Sequence, residues 1–120
     1  MILIACGALV GLLAAYVAYA TWSATPTEGP CLLFFRSDTC PYCKEMAPIV
    51  DGLRRKYGRQ VDFVYVNVSE EGGERIGRQH GIIATPTLLL LDSDGHQMNV
   101  LRGTLPESVI EQAIVDLVAQ

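Results

Sequence analysis

The sequence predicts an α/β domain, a mixed four-stranded sheet flanked by helices, preceded by one apolar N-terminal transmembrane helix. Three observations carry this. Met1 to Trp22 contains no charged residue, Cys31 to Phe35 is an unbroken apolar run of strand length, and after Cys40 the apolar residues recur every three or four positions. The chain thus divides into 1–22, an anchor or signal segment; 23–30, a linker; and 31–120, the folded domain.

As a helix, the first 22 residues would extend about 33 Å, enough to cross a hydrocarbon core of roughly 30 Å. Tyr16, Tyr19 and Trp22 gather at its C-terminal end, where aromatic rings favour the lipid–water interface. A second reading stays open: Ala18-Tyr19-Ala20 offers the small-x-small pattern of signal cleavage, which would release a secreted chain starting at Thr21. The expectation is a single-pass membrane protein with its domain on the extracytoplasmic side. The linker 23–30 carries Pro26, Gly29 and Pro30 with no apolar period, and reaches at most about 28 Å.

From residue 31 the elements follow in order. Cys31-Leu32-Leu33-Phe34-Phe35 suits a strand buried on both faces. Met46, Ile49, Val50, Leu53 and Tyr57 give one face of a helix from Pro41 to about Tyr57, with Gly58 as its stop. Val61 to Val68 alternates as a second strand, with Val61, Phe63 and Tyr65 on one face and Val64, Val66 and Val68 on the other. Strand, helix and strand in this order form a right-handed parallel unit. Ser69 is placed to cap a short helix running to about His80. Thr87 to Leu91 is the most apolar strand, and the turn Asp92-Ser93-Asp94-Gly95 returns Gln97 to Arg102 as an antiparallel edge. Pro106 opens a last helix with Val109, Ile110, Ala113, Ile114 and Leu117 as its buried stripe.

The 13 acidic and 9 basic residues all lie at Glu28 or later, so the net charge of -4 belongs to the domain and argues against nucleic-acid binding. Arg54, Arg55, Lys56 and Arg59 concentrate at a helix C-terminus, where cations complement the dipole. Of the four cysteines only Cys40 and Cys43 stand close together.

Cys40-Pro41-Tyr42-Cys43 directly follows the buried strand and opens the helix. There the unsatisfied N–H groups and positive end of the helix favour a thiolate at Cys40. Cysteines three apart share a helix face and come within reach of a disulfide after a small first-turn adjustment. Cys40 at the exposed helix edge is the expected nucleophile, and Cys43, one turn inward, resolves the mixed disulfide. Pro41 stiffens the turn where a missing N–H costs nothing, and Tyr42 offers a surface to the partner chain. A zinc site would need two further ligands from Cys31, His80 and His96. Cys31 starts the strand, near 20 Å from the dithiol by strand rise, and the histidines suit a helix end and a hairpin turn. Neither a metal nor another cofactor is expected.

Cys40-Pro41-Tyr42-Cys43-Lys44 with Pro48, the order of elements, and Ala84-Thr85-Pro86-Thr87 before an apolar strand together resemble the thioredoxin superfamily over residues 31 to 120. The resemblance implies a minimal thioredoxin-like fold and a protein-disulfide oxidoreductase acting as a monomer on protein thiols and disulfides, recharged by a redox partner. It also implies that Pro86 is a cis-proline packed beside the dithiol, leaving the Thr85 backbone free to pair with an extended substrate segment. Departures accompany it. Thr39 stands where thioredoxins proper have tryptophan, Phe34 where a buried carboxylate is common, and Tyr65 where its lysine partner is usual. Without that pair, deprotonation of Cys43 would fall to water, Asp38 or another group. The Pro-Tyr dipeptide is the one usual in glutaredoxins, but their glycine–aspartate loop is not evident, so glutathione dependence is not expected. The alternative function is a non-catalytic interaction module using the Thr85-Pro86 groove.

Overall fold

The structure, a computed structural model, describes residues 29–119. The expected anchor at 1–22 and most of the linker lie outside the described residues. Among the described residues no helix is long and apolar enough to cross a membrane.

In chain order the elements are β1 (Cys31–Arg36), α1 (Pro41–Tyr57), β2 (Asp62–Asn67), α2 (Glu71–Gln79), β3 (Thr87–Leu91), β4 (Gln97–Arg102) and α3 (Glu107–Val118). The four strands form one sheet in the order β2-β1-β3-β4. β1 runs parallel to β2 and antiparallel to β3, and β3 is antiparallel to β4, so the sheet is mixed.

β1 is central, which explains its unbroken apolar run. Leu32 and Phe34 point to one face, where Met46, Val50 and Leu53 of α1 and Ile110, Ile114 and Leu117 of α3 bury them. Leu33 and Phe35 point to the other, against Val66, Leu89, Val68 and Ile82. The α1 stripe is buried at Cys43, Met46, Val50 and Leu53, and its bounds agree with the sequence expectation. Gly58 does end this helix, but in a right-handed conformation with φ -61°. A glycine fits because a Cβ there would press on the Arg54 carbonyl oxygen, which instead accepts the Gly58 N–H at 2.7 Å.

Three expectations are corrected. β2 is shorter than Val61 to Val68: the Val61 N–H is taken by the Tyr57 carbonyl in the turn after α1, although the side chain is buried. On the face it shares with Val66, Val64 is exposed while Val66 is buried. Ser69 does not cap α2; Glu70 occupies the cap position without a side-chain bond, and the helix stops at Gln79 with His80 as its C-cap. Pro106 is the N-cap of α3 rather than its first helical residue, with an extended ψ of 148°.

Candidate active site

The register fixes where the site must lie. Phe35 pairs with Thr87 and Arg36 with Asn67, so the loops 37–40, 68–70 and 84–86 emerge together at one end of the sheet. Pro30, Asp62 and Leu91 mark the opposite end, where the Asp62 N–H reaches the Pro30 carbonyl at 3.0 Å and Cys31 pairs with Leu91.

Cys40 is the N-cap of α1, with φ -94° and ψ 104°, and its Sγ accepts the Cys43 N–H at 3.1 Å. A sulfur therefore holds the place that a serine or aspartate oxygen ordinarily takes. Pro41 follows at the first helical position, where it has no N–H to leave unpaired. Cys40 and Cys43 are joined as a disulfide, with Cα atoms 5.3 Å apart. The expectation of an exposed Cys40 is corrected: it is 7% exposed and Cys43 4%, because both belong to the core cluster under α1. Pro41 and Tyr42 are the exposed part of the motif, Tyr42 at 59%.

At the same end of the sheet, the Thr85–Pro86 peptide bond is cis, and Pro86 is buried. Three contacts hold its loop. Ser37 Oγ and Thr85 Oγ1 lie 3.2 Å apart, the buried Thr87 hydroxyl donates to the Ala84 carbonyl at 2.7 Å, and the Gly103 N–H donates to the Pro86 carbonyl at 2.9 Å. Beside Thr85 opens a cleft of about 310 Å³ lined by Ser37, Val68, Arg78, Ile82 and Ile83 among others. Ile83 projects into solvent at 87% exposure.

Asp38 is joined to the neighbouring loop by two bonds that sequence reasoning missed. Its carboxylate accepts from Asn67 Nδ2 at 2.8 Å and its N–H donates to Ser69 Oγ at 2.9 Å. Asn67 was legible only as a strand residue, and Ser69 only as a cap.

Among the described residues the remaining cysteine and the histidines are dispersed. Cys31 begins β1 at the far end of the sheet, and burial, with the Asp62 charge second, pushes its thiol up. The His80 ring lies 6.1 Å from Phe35. His96 sits in the β3–β4 turn, 3.4 Å from Asp92, and with Asp94 these residues bring three potential ligand atoms together. Turn chemistry accounts for the grouping, since Asp92 Oδ1 accepts the backbone N–H groups of both Asp94 and His96.

A disulfide-forming pair at a helix start, at the same end of a mixed sheet as a cis-proline loop, invites comparison with known proteins. The sequence pattern of the thioredoxin-like domain matches residues 18–117. The chain belongs to the thioredoxin-like family. Thioredoxin 1 of Synechococcus elongatus is 31% identical over 103 residues, 84% of this chain and 94% of that protein. The chloroplastic thioredoxin-like protein HCF164 of Oryza sativa is 30% identical over 101 residues, of which this chain spans 38% of the relative's length. Among solved structures, oxidised mitochondrial thioredoxin 3 of Saccharomyces cerevisiae superposes with a TM-score of 0.67 at 27% identity, over 77% of this chain and 82% of that one.

With the Cys40–Cys43 disulfide in place, this thioredoxin-like protein is a thiol-disulfide oxidoreductase. Its differences from thioredoxins proper have a clear local structure. Phe34 pairs with Tyr65 across β1 and β2, and the rings meet edge to face at 5.9 Å. The Tyr65 hydroxyl leaves the sheet to donate to the Asp51 carboxylate, with the Arg54 guanidinium 5.6 Å from the ring. Burial, and after it the Asp51 hydrogen bond, pushes the phenol up.

Proposed function

We propose that this protein exchanges disulfides with partner proteins while tethered at a membrane through residues 1–22, its monomeric domain on the extracytoplasmic side. Cys40 is the attacking thiol and Cys43 the resolving one. The observation that carries the reading is the Cys43 N–H directed at the Cys40 sulfur at a helix start: the same donor stabilises a thiolate there once the disulfide is reduced.

In the reducing direction the Cys40 thiolate attacks one sulfur of a partner disulfide. A Cys40–partner bond forms and the partner's other sulfur leaves as a thiolate, which takes a proton from solvent. Cys43 then loses its proton and attacks Cys40 Sγ, closing the Cys40–Cys43 disulfide and releasing the second partner thiol. Two electrons pass to the partner, and a separate redox protein restores the dithiol. The oxidising direction is the same sequence reversed. Thr85, Pro86, Pro41 and Tyr42 form the docking platform for the partner's extended segment, which adds to the Thr85 backbone.

Cysteine variants test the chemistry. Cys40→Ser abolishes insulin reduction driven by dithiothreitol, and Cys43→Ser accumulates a mixed disulfide with the substrate. Unchanged turnover in both variants overturns the reading, and a module that only binds would not accelerate the reaction at all. The tether is tested separately by flotation with vesicles and by N-terminal sequencing. A mature chain beginning at Thr21 would replace the anchor by secretion.

A further inference from the structure

Asp38 and Thr39 precede the first turn of α1, and short oxygen-bearing side chains in such places compete for its unpaired N–H groups. Neither makes a cap bond among the described residues; the Cys40 sulfur does. The Asp38 carboxylate is engaged elsewhere. It accepts from Asn67 Nδ2 at 2.8 Å, Asn67 Oδ1 accepts the Ser69 N–H at 2.9 Å, and Ser69 Oγ accepts the Asp38 N–H at 2.9 Å. The bonds close into a ring that spans the loops after β1 and β2. The Val68 N–H to Arg36 carbonyl bond of 2.8 Å continues the strand pairing up to it.

We propose that Asn67 is a positioning residue for thiol exchange, holding the Asp38 carboxylate on the loop before α2 so that the Cys40 sulfur remains the acceptor at the start of α1. The inference rests on Cys40 being the attacking thiol. A carboxylate released from Asn67 would compete for the N–H groups that stabilise the thiolate and add a like charge beside it. Both effects favour the protonated thiol. Of the other charged residues on these elements, Arg36 at the end of β1, Lys44 and Glu45 in α1, Glu70 and Glu71 at the start of α2, and Arg102 at the end of β4 make no side-chain hydrogen bond or ion pair among the described residues. Asp51 and Lys56 of α1 are paired with Tyr65 and Glu111, and Glu74 and Arg78 of α2 with each other, so Asp38 is the one charge of the 37–40 loop and Asn67 sets its position.

The test is a double-mutant cycle in the full chain, with the Cys40 thiol of the reduced protein titrated by thiolate absorbance. Asn67→Ala is expected to raise its midpoint by about 0.5 to 1 pH unit, the size of a lost helix cap. Below the midpoint, partner reduction then slows about two- to fourfold, since the remaining thiolate is more nucleophilic. Asp38→Ala leaves the midpoint near that of the parent, and adding it to Asn67→Ala cancels the shift. Asn67→Asp, which keeps the side-chain size and repels Asp38, gives a larger rise that Asp38→Asn reverses. A shift that persists after Asp38 is removed, or no shift in Asn67→Ala and Asn67→Asp, overturns the proposal. Mixed-disulfide trapping in Cys43→Ser tests the role of Cys40 independently of this cycle.

Discussion

Phe34 and Tyr65 occupy paired positions on β1 and β2 and meet edge to face, so an aromatic contact rather than an ion pair joins these two strands here. A fully buried phenylalanine can neither take nor give a proton. Tyr65→Phe keeps the contact and removes only the hydroxyl. Insulin reduction at neutral pH should therefore stay within about twofold, far from the hundredfold or more that a lost proton-transfer group costs.

The same substitution has an alkaline signature. Because Tyr65 is raised in the folded state, its contribution to stability is fully present below the ordinary phenol value of about 10 and is lost as pH rises through the higher folded value. Cys31, raised by burial and then by Asp62, adds to the same loss from about pH 8.5 upward. Urea midpoints measured across the alkaline range should fall less steeply in Tyr65→Phe than in the parent; an unchanged slope contradicts the assignment.

Asp92 gives the opposite limb. Backbone N–H donation from His96, the largest effect, holds its carboxyl below the usual range. Stability from this group is present above the ordinary carboxylate value of about 4 and is lost as pH falls through the lower folded value. Asp92→Asn should weaken the hairpin at neutral pH and flatten the acid side of the urea-midpoint profile.

Two adjacent glycines in α2 should respond in opposite directions to alanine. At Gly72 a Cβ meets nothing, so Gly72→Ala is expected to stabilise by about 0.5–1 kcal/mol through helix propensity. At Gly73 the Cβ would run into the Asn67 carbonyl oxygen, a backbone atom that cannot yield cheaply. Gly73→Ala should cost about 1–3 kcal/mol, as overpacking does. Equal urea midpoints for the two variants would refute this.

Thr87 is buried, and its hydroxyl bonds to the Ala84 carbonyl within the loop that carries Thr85 and Pro86. Thr87→Val keeps the shape and removes the donor. A loss of about 1 kcal/mol is expected, together with a raised KM for a protein disulfide and a retained kcat. A variant with parental KM would show that the hydroxyl does not set the loop.

Much of this architecture was readable from local pattern. The bounds of α1 follow from Pro41, the spacing of Met46, Val50 and Leu53, and the stop at Gly58, all of which act within a few residues of where they stand. The dithiol was legible for the same reason, whereas the cis Thr85–Pro86 bond was an implication of the family resemblance that Ala84-Thr85-Pro86-Thr87 helps to carry. What the pattern hid depends on distant chain segments. Ser69 carries a cap signal, but its hydroxyl is taken by an N–H 31 residues away, and Ser37 meets Thr85 across 48. The burial of Cys40 likewise arises from the core cluster assembled by α1, α3 and the sheet, which no local period records.

The sheet separates two ends. Loops 37–40, 68–70 and 84–86 sit at one, while Pro30, bonded to Asp62, sits at the other beside the turn that closes α1. Whatever precedes Pro30 therefore joins the domain a strand's length from the reacting sulfurs. The loops that build the reacting geometry thus lie at the opposite end of the sheet from the point where the chain enters it.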